Sequence, residues 1–153
     1  LALIIHILKD GNGRPDGGRA AIVLPDGSLF GEGVKTRIKE RLLDTCNLHT
    51  IVRLPNGVFN PYTGIRTNLL FFTKGEPTRE VWYYEHQLPP GYKQYTKTRP
   101  IGIAEFDVEK AWWTDRQENE RAWRVPIADI MTLQTFYRKQ GLLNYPTDLG
   151  FMA

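Results

Sequence analysis

Between Arg19 and Gly75, three short apolar runs are each closed by a turn signal, and this pattern leaves few architectures open to the chain. Ala20-Ala21-Ile22-Val23-Leu24-Pro25 ends at Asp26-Gly27. Leu48-His49-Thr50-Ile51-Val52-Arg53-Leu54-Pro55 ends at Asn56-Gly57, and Thr67-Asn68-Leu69-Leu70-Phe71-Phe72-Thr73-Lys74 ends at Gly75. Short runs rich in Val, Ile, Thr and Phe and bounded by Gly, Asn, Asp or Pro read as strands. Separated by about one helix, they predict an α/β fold with a parallel sheet and crossover helices. The helix is expected over Val34–Asp44, where Val34, Ile38 and Leu42 recur at i, i+4. Lys35, Arg37, Lys39 and Arg41 then read as its solvated face rather than as a basic patch.

Downstream, Glu80–His86 is an aromatic-rich strand candidate, and 88–100, with three prolines and Gly91, an extended connection. Asp107 is placed as the cap of a helix with Glu109 in its first turn. Trp123–Ile127 reads as a short strand, followed by a helix from Ala128 towards Lys139. The tail beyond Gly141 has no period. A chain of 153 residues supports one real core, and a net charge of +3 does not demonstrate a polyanionic partner. The single cysteine, Cys46, excludes an internal disulfide and fits a reducing, cytoplasmic setting. No apolar run approaches the ~20 residues of a membrane span. Leu1–Lys9 lacks the leader and cleavage site of a signal peptide, and reads as a buried helix or strand whose beginning lies outside the chain.

Motifs that could carry chemistry are weak one by one. A calcium loop starting at Asp10 would need an oxygen ligand at Arg14, glycine at Pro15 and Glu at Ala21, so 10–18 is a plain loop. Gly27–Gly33 stands where phosphate-cradling loops occur, but it matches neither the dinucleotide nor the P-loop spacing and reads as a tight strand-to-helix connection. His6, His49, His86 and Cys46 do not make a zinc-ligand pattern, and Cys46 is expected as a partly buried helix-end residue. No nucleophile elbow is present. Asn60-Pro61-Tyr62 is similar to the Asn-Pro-Pro-aromatic motif of amine-methylating enzymes, but has one proline and lies in a hairpin-like loop, so it reads as a turn.

Taken together and in order, 18–25, Leu29-Phe30, 46–55, 67–75 and the run from Trp112-Trp113 to Trp123 resemble the modification subunit of type I restriction-modification systems. These are adenine-specific DNA methyltransferases that use S-adenosylmethionine. The resemblance covers the chain to about Ile130 and implies the C-terminal half of a Rossmann-like methyltransferase sheet with a small mixed α/β extension. Residues 1–86 would belong to the core and 87–153 to the extension. The strands near 20–24, 48–54 and 67–73 would be the fifth, sixth and seventh, the seventh running antiparallel between the other two.

The resemblance further implies that the cofactor loop and the catalytic motif lie upstream. It assigns no catalytic, cofactor or metal residue to this chain, which would be inactive by itself. It carries over one substrate role. In the loop Asn56–Arg66, Phe59, with Tyr62 as second choice, would pack against a flipped adenine of double-stranded DNA; otherwise Phe59 anchors the loop to the core. Implied partners are the specificity and restriction subunits. A strand at 20–24 lacking its neighbour would self-associate through its edge or be covered by residues 1–9. The alternative from another class is a non-catalytic protein- or nucleic-acid-binding module whose interface is Trp82, Tyr83, Tyr84, Trp112, Trp113 and Trp123.

Overall fold

A computed structural model describes residues 1–14, 16–30 and 34–130. In chain order it contains α1 (Ala2–Ile7), β1 (Arg19–Pro25), α2 (Asp26–Phe30), α3 (Val34–Thr45), β2 (Cys46–Arg53), β3 (Thr67–Lys74) and β4 (Glu80–Glu85). A 3-10 turn (Ile103–Phe106), α4 (Asp107–Thr114) and β5 (Ala122–Pro126) follow. The helix expected from Ala128 to Lys139 and the tail beyond Gly141 fall outside the described residues past Ile130. No described helix is long and apolar enough to cross a membrane.

The strands form one sheet in the order β1-β3-β2-β4-β5. β3 runs antiparallel to both β1 and β2, which therefore point the same way with β3 between them, as the methyltransferase resemblance implies. The sheet is mixed rather than parallel: only β2 and β4 are adjacent and parallel. The physical reason is the 54–66 connection. Strands joined by a hairpin must run antiparallel, and this loop leaves no room for a crossover helix.

Both faces of the central strands are buried. On one face Leu48, Ile51, Leu70, Phe72, Val81 and Tyr83 pack with Leu42 and Leu43 of α3, Ile5 of α1 and Leu29 of α2. On the other, Val52 and Tyr84 pack with Trp112 of α4, with Leu69, Phe71, Trp82 and Trp113 around them. Alternation along β3 and β4 follows the strand period of two. β2 breaks it: a bulge at His49 shifts the register, so that Leu48 lies opposite Phe72 while Thr50 lies opposite Phe71. That extra residue is what puts Leu48 and Ile51 on the same face.

Several local expectations need correction. Asp26-Gly27 is not a turn but the start of α2, which follows β1 without a break. The inward face of α3 carries Thr36, Lys39, Leu42 and Leu43, whereas Val34 is 72% exposed. Lys39 is turned in because α2 has only five residues and its carbonyls lack helical partners. The Lys39 Nζ donates to Leu29 O at 2.6 Å, and Lys35 Nζ to Gly27 O at 3.3 Å. Asp107 does not cap α4; the 3-10 turn leads straight into the helix, and Asp107 instead accepts from Lys110 at 2.8 Å. Cys46 is fully buried at the start of β2, and burial raises its thiol pKa. Ile5 of α1 is buried, but Leu3 and Ile7 are exposed. Gly31–Gly33, the end of the glycine-rich connection, lie outside the described residues.

Candidate functional site

The C-terminal ends of β1, β2 and β4 and the N-terminal end of β3 meet at one end of the sheet. In α/β sheets this is where ligands are held, because the strand ends leave a crevice bordered by loops. A cleft of ≈ 410 Å³ lies here. Its walls are Arg53, Leu54, Pro55 and Asn56 at the end of β2, Arg66 before β3, 85–88 at the end of β4, and Lys93. Three cationic side chains against the one carboxylate of Glu85 give the rim a positive balance.

A polar cluster braces the strand ends. The Asp26 carboxylate accepts from Arg53 Nη2 at 3.0 Å and from Asn68 Nδ2 at 2.6 Å, joining β1, β2 and β3. The Asp26 amide donates to Arg66 O at 3.1 Å, and the Arg66 Nε to Asn56 Oδ1 at 2.8 Å. Both ends of the hairpin loop are thereby tied to the sheet. Bonds to an ionised acceptor are about twice as strong as neutral ones, which suits a brace at a solvent-facing edge.

The loop between these ends carries Phe59 and Tyr62. Tyr62 is 93% exposed and Phe59 38%. Neither lines the cleft; Asn56 and Arg66, at the base of the loop, do. Val58, which local pattern did not single out, packs against the second core cluster. Asn60, with Pro61 in a cis peptide, sits in a turn: its amide donates to Gly57 O at 3.1 Å and its Nδ2 to Tyr95 O at 3.0 Å.

Behind the cleft lies a buried polar chain that spacing could not reveal. His86 Nδ1 is hydrogen-bonded to Glu109 Oε1, and its Nε2 lies 3.3 Å from the Tyr95 hydroxyl. Tyr95 donates to Glu105 Oε2, whose other oxygen accepts from the Gly102 amide at 2.7 Å. Burial, and then the Glu105 carboxylate, push the Tyr95 hydroxyl pKa upward, so it stays a donor. Burial alone would raise Glu105, but the hydrogen bonds from Tyr95 and Gly102 outweigh it and leave its pKa lowered. The partners are nine to 23 residues apart in sequence, beyond any local period.

The rings proposed as an open interface are engaged within the molecule. Tyr83, Tyr84 and Trp112 are buried, Trp82 packs edge-on to Trp112, and Tyr83 stacks on Trp123. Trp113 meets Phe71 and lies under Arg116 at 4.3 Å. Leu1, Ile4 and Leu8 pack against the same core cluster as Ala20, Ile22 and Leu24 of β1. Among the described residues, β1 pairs with β3 alone, so its outer edge has no strand partner.

A model of the N-6 DNA methylase family matches residues 1–137. The methylase subunit of the type I restriction enzyme EcoEI of Escherichia coli is 60% identical over 138 residues, covering 86% of this chain and 27% of that protein. The solved modification subunit of a putative type I restriction enzyme from Vibrio vulnificus YJ016 superposes with a TM-score of 0.87 at 46% identity, covering 98% of this chain and 30% of that one. A structure describing complex assembly and conformational transition of the type I restriction-modification system gives 0.77 at 34% identity, covering 99% and 31%. The chain thus spans less than a third of the length of each of these relatives. Its mixed α/β sheet is the C-terminal half of the Rossmann-like methyltransferase sheet. Sheet order, braced strand ends and the match over 1–137 lead to one assignment: the chain belongs to the N-6 DNA methylase family.

Proposed function

We propose that this chain is a segment of a DNA adenine methyltransferase subunit. The subunit transfers a methyl group from S-adenosylmethionine to the exocyclic amine of adenine within a cytoplasmic restriction-modification complex. Residues 1–86 complete the methyltransferase core, and 87–153 form an extension packed on it. The loop 56–66 faces the target base, with Phe59, or Tyr62 as second choice, replacing the stacking that an extruded adenine loses. Such stacking is worth about 1–3 kcal/mol per base. The observation that supports this reading is the position of the loop: a hairpin at the C-terminal end of the sheet that carries two rings with exposed surface.

No cofactor-binding residue is assigned within this chain. Asp26, the carboxylate beside Gly27 after β1, has its two oxygens engaged by Arg53 and Asn68. Cofactor binding is therefore assigned to other parts of the subunit, and the chain alone is inactive. Double-stranded DNA and the specificity and restriction subunits are its partners, and the edge of β1 is a place for self-association of the isolated chain.

The test is methyl transfer from labelled S-adenosylmethionine to DNA. It compares this chain alone with the full-length subunit bound to its specificity subunit. Transfer only by the assembly, reduced by Phe59→Ala with folding intact, is the expected result. Transfer by the chain alone would refute the placement of the cofactor and return Asn60-Pro61-Tyr62 to consideration.

A further inference from the structure

We propose that Tyr95 is a positioning residue for the base-facing loop: its buried hydroxyl fixes the backbone on which Asn56 and Asn60 dock, and so sets where Phe59 stands. The inference rests on the target-base reading above and adds to it a residue outside the loop. Tyr95 lies in the irregular stretch 88–100, where nothing in the chain's regular structure would hold it. Yet its side chain is fully buried. Its hydroxyl is held by Glu105 of the 3-10 turn and lies beside His86 at the end of β4. His86 in turn is bonded to Glu109 of α4 and stacks on Phe106, ring centroids 4.8 Å apart. Three elements thus converge on one phenol.

The backbone of that residue is the dock for the loop. The Tyr95 amide donates to Asn56 O at 3.1 Å, and Tyr95 O accepts from Asn60 Nδ2 at 3.0 Å. Between these two anchors stand Gly57, Val58 and Phe59. Gly57 lies so close that a Cβ placed on it would come 2.1 Å from Tyr95 O. The loop is therefore pinned on both sides of Phe59 by one residue of another segment. Misplacing a reacting group by about 1 Å can cost up to about a hundredfold in rate, so the setting of this dock has kinetic weight.

The experiment uses the full-length subunit with its specificity subunit and the variants Tyr95→Phe, Asn60→Ala, Phe59→Ala and the double variant Tyr95→Phe/Phe59→Ala. Tyr95→Phe keeps the ring and removes only the hydroxyl. It should speed hydrogen exchange of the Asn60, Tyr62 and Thr63 amides about tenfold while leaving β2 and β3 unchanged. It should also lower kcat about tenfold with little change in KM for S-adenosylmethionine. Asn60→Ala, which leaves the buried chain untouched, should do the same. In the double variant, the loss in kcat should be no greater than that of Phe59→Ala alone, since both act through one ring. Unchanged loop exchange in both Tyr95→Phe and Asn60→Ala overturns the inference, and so do kcat losses that multiply in the double variant. If Phe59→Ala alone leaves kcat unchanged, the assignment of Phe59 as the base-stacking ring fails and this inference falls with it. That outcome is told apart from the first because the exchange data still report whether Tyr95 holds the loop.

Discussion

Gly57→Ala is the sharpest perturbation available at the base-facing loop, because two separate costs meet there. The residue has φ of 83°, a conformation in which an L side chain costs roughly 1–2 kcal/mol. Its added Cβ would also sit 2.1 Å from Tyr95 O and 2.8 Å from Asn60 Nδ2, closer than real contacts allow. The loop must therefore withdraw, which removes the Tyr95-to-Asn56 and Asn60-to-Tyr95 hydrogen bonds at about 1 kcal/mol each. The sum is about 3–4 kcal/mol, local to the loop. Gly91→Ala supplies the control, since Gly91 has the same φ of 83° but nothing within 4 Å of its Cβ position. It should cost only the conformational part. Hydrogen exchange at the Asn60 and Tyr62 amides, which donate to Gly57 O and Phe59 O, reads the difference. Gly57→Ala should accelerate it by roughly 100- to 700-fold, at about 1.4 kcal/mol per factor of ten, and Gly91→Ala should not change it. Similar exchange in the two variants would refute the idea that close docking on Tyr95 orders the loop.

Other outcomes follow from the same geometry. Asp26→Ala removes the acceptor for Arg53 and Asn68 and should lower stability by about 1–3 kcal/mol in urea unfolding; a change under about 0.5 kcal/mol would deny the brace. Trp112→Ala empties the core beneath α4 and should cost about 3–5 kcal/mol, measured the same way. Burial, with Arg116 adding to it, lowers the His49 pKa from 6.5 to about 4. The unfolded chain then binds the extra proton in that interval. This contribution to stability is complete above about pH 6.5 and is lost as the pH falls towards 4. Unfolding midpoints for His49→Gln should vary less across this range than for the parent.

The strands were legible because β-branched and aromatic runs between turn residues admit little else, and β1 to β5 fall close to their expected places. The arrangement of β1, β3 and β2 came from the collinear resemblance and the places of β4 and β5 only from the structure, since a period of two says which side a residue faces but not which strand lies beside it. Lys39 shows where local pattern misleads. Its spacing puts it among solvated charges, but the open carbonyls of a short helix ten residues away draw it inward. The His86–Tyr95–Glu105 chain was invisible for a related reason: each member looks like an ordinary polar residue of its own segment, and only the fold brings them together. In the loop, the aromatic residue is the one a sequence pattern favours, but the smaller Val58 packs against the second core cluster.

The bulge at His49 gives β2 a counting rule. Upstream of it odd and even positions have one set of faces, and downstream the set is exchanged, so the strand holds at that point one residue more than its ladder with β3 needs. Deleting His49 would leave a regular ladder, with Leu48 still opposite Phe72, Thr50 still opposite Phe71, and Leu48 and Ile51 still on one face. One residue inserted between Ile51 and Arg53 would instead reverse the faces beyond it and swing Arg53 away from Asp26, unfastening the cleft.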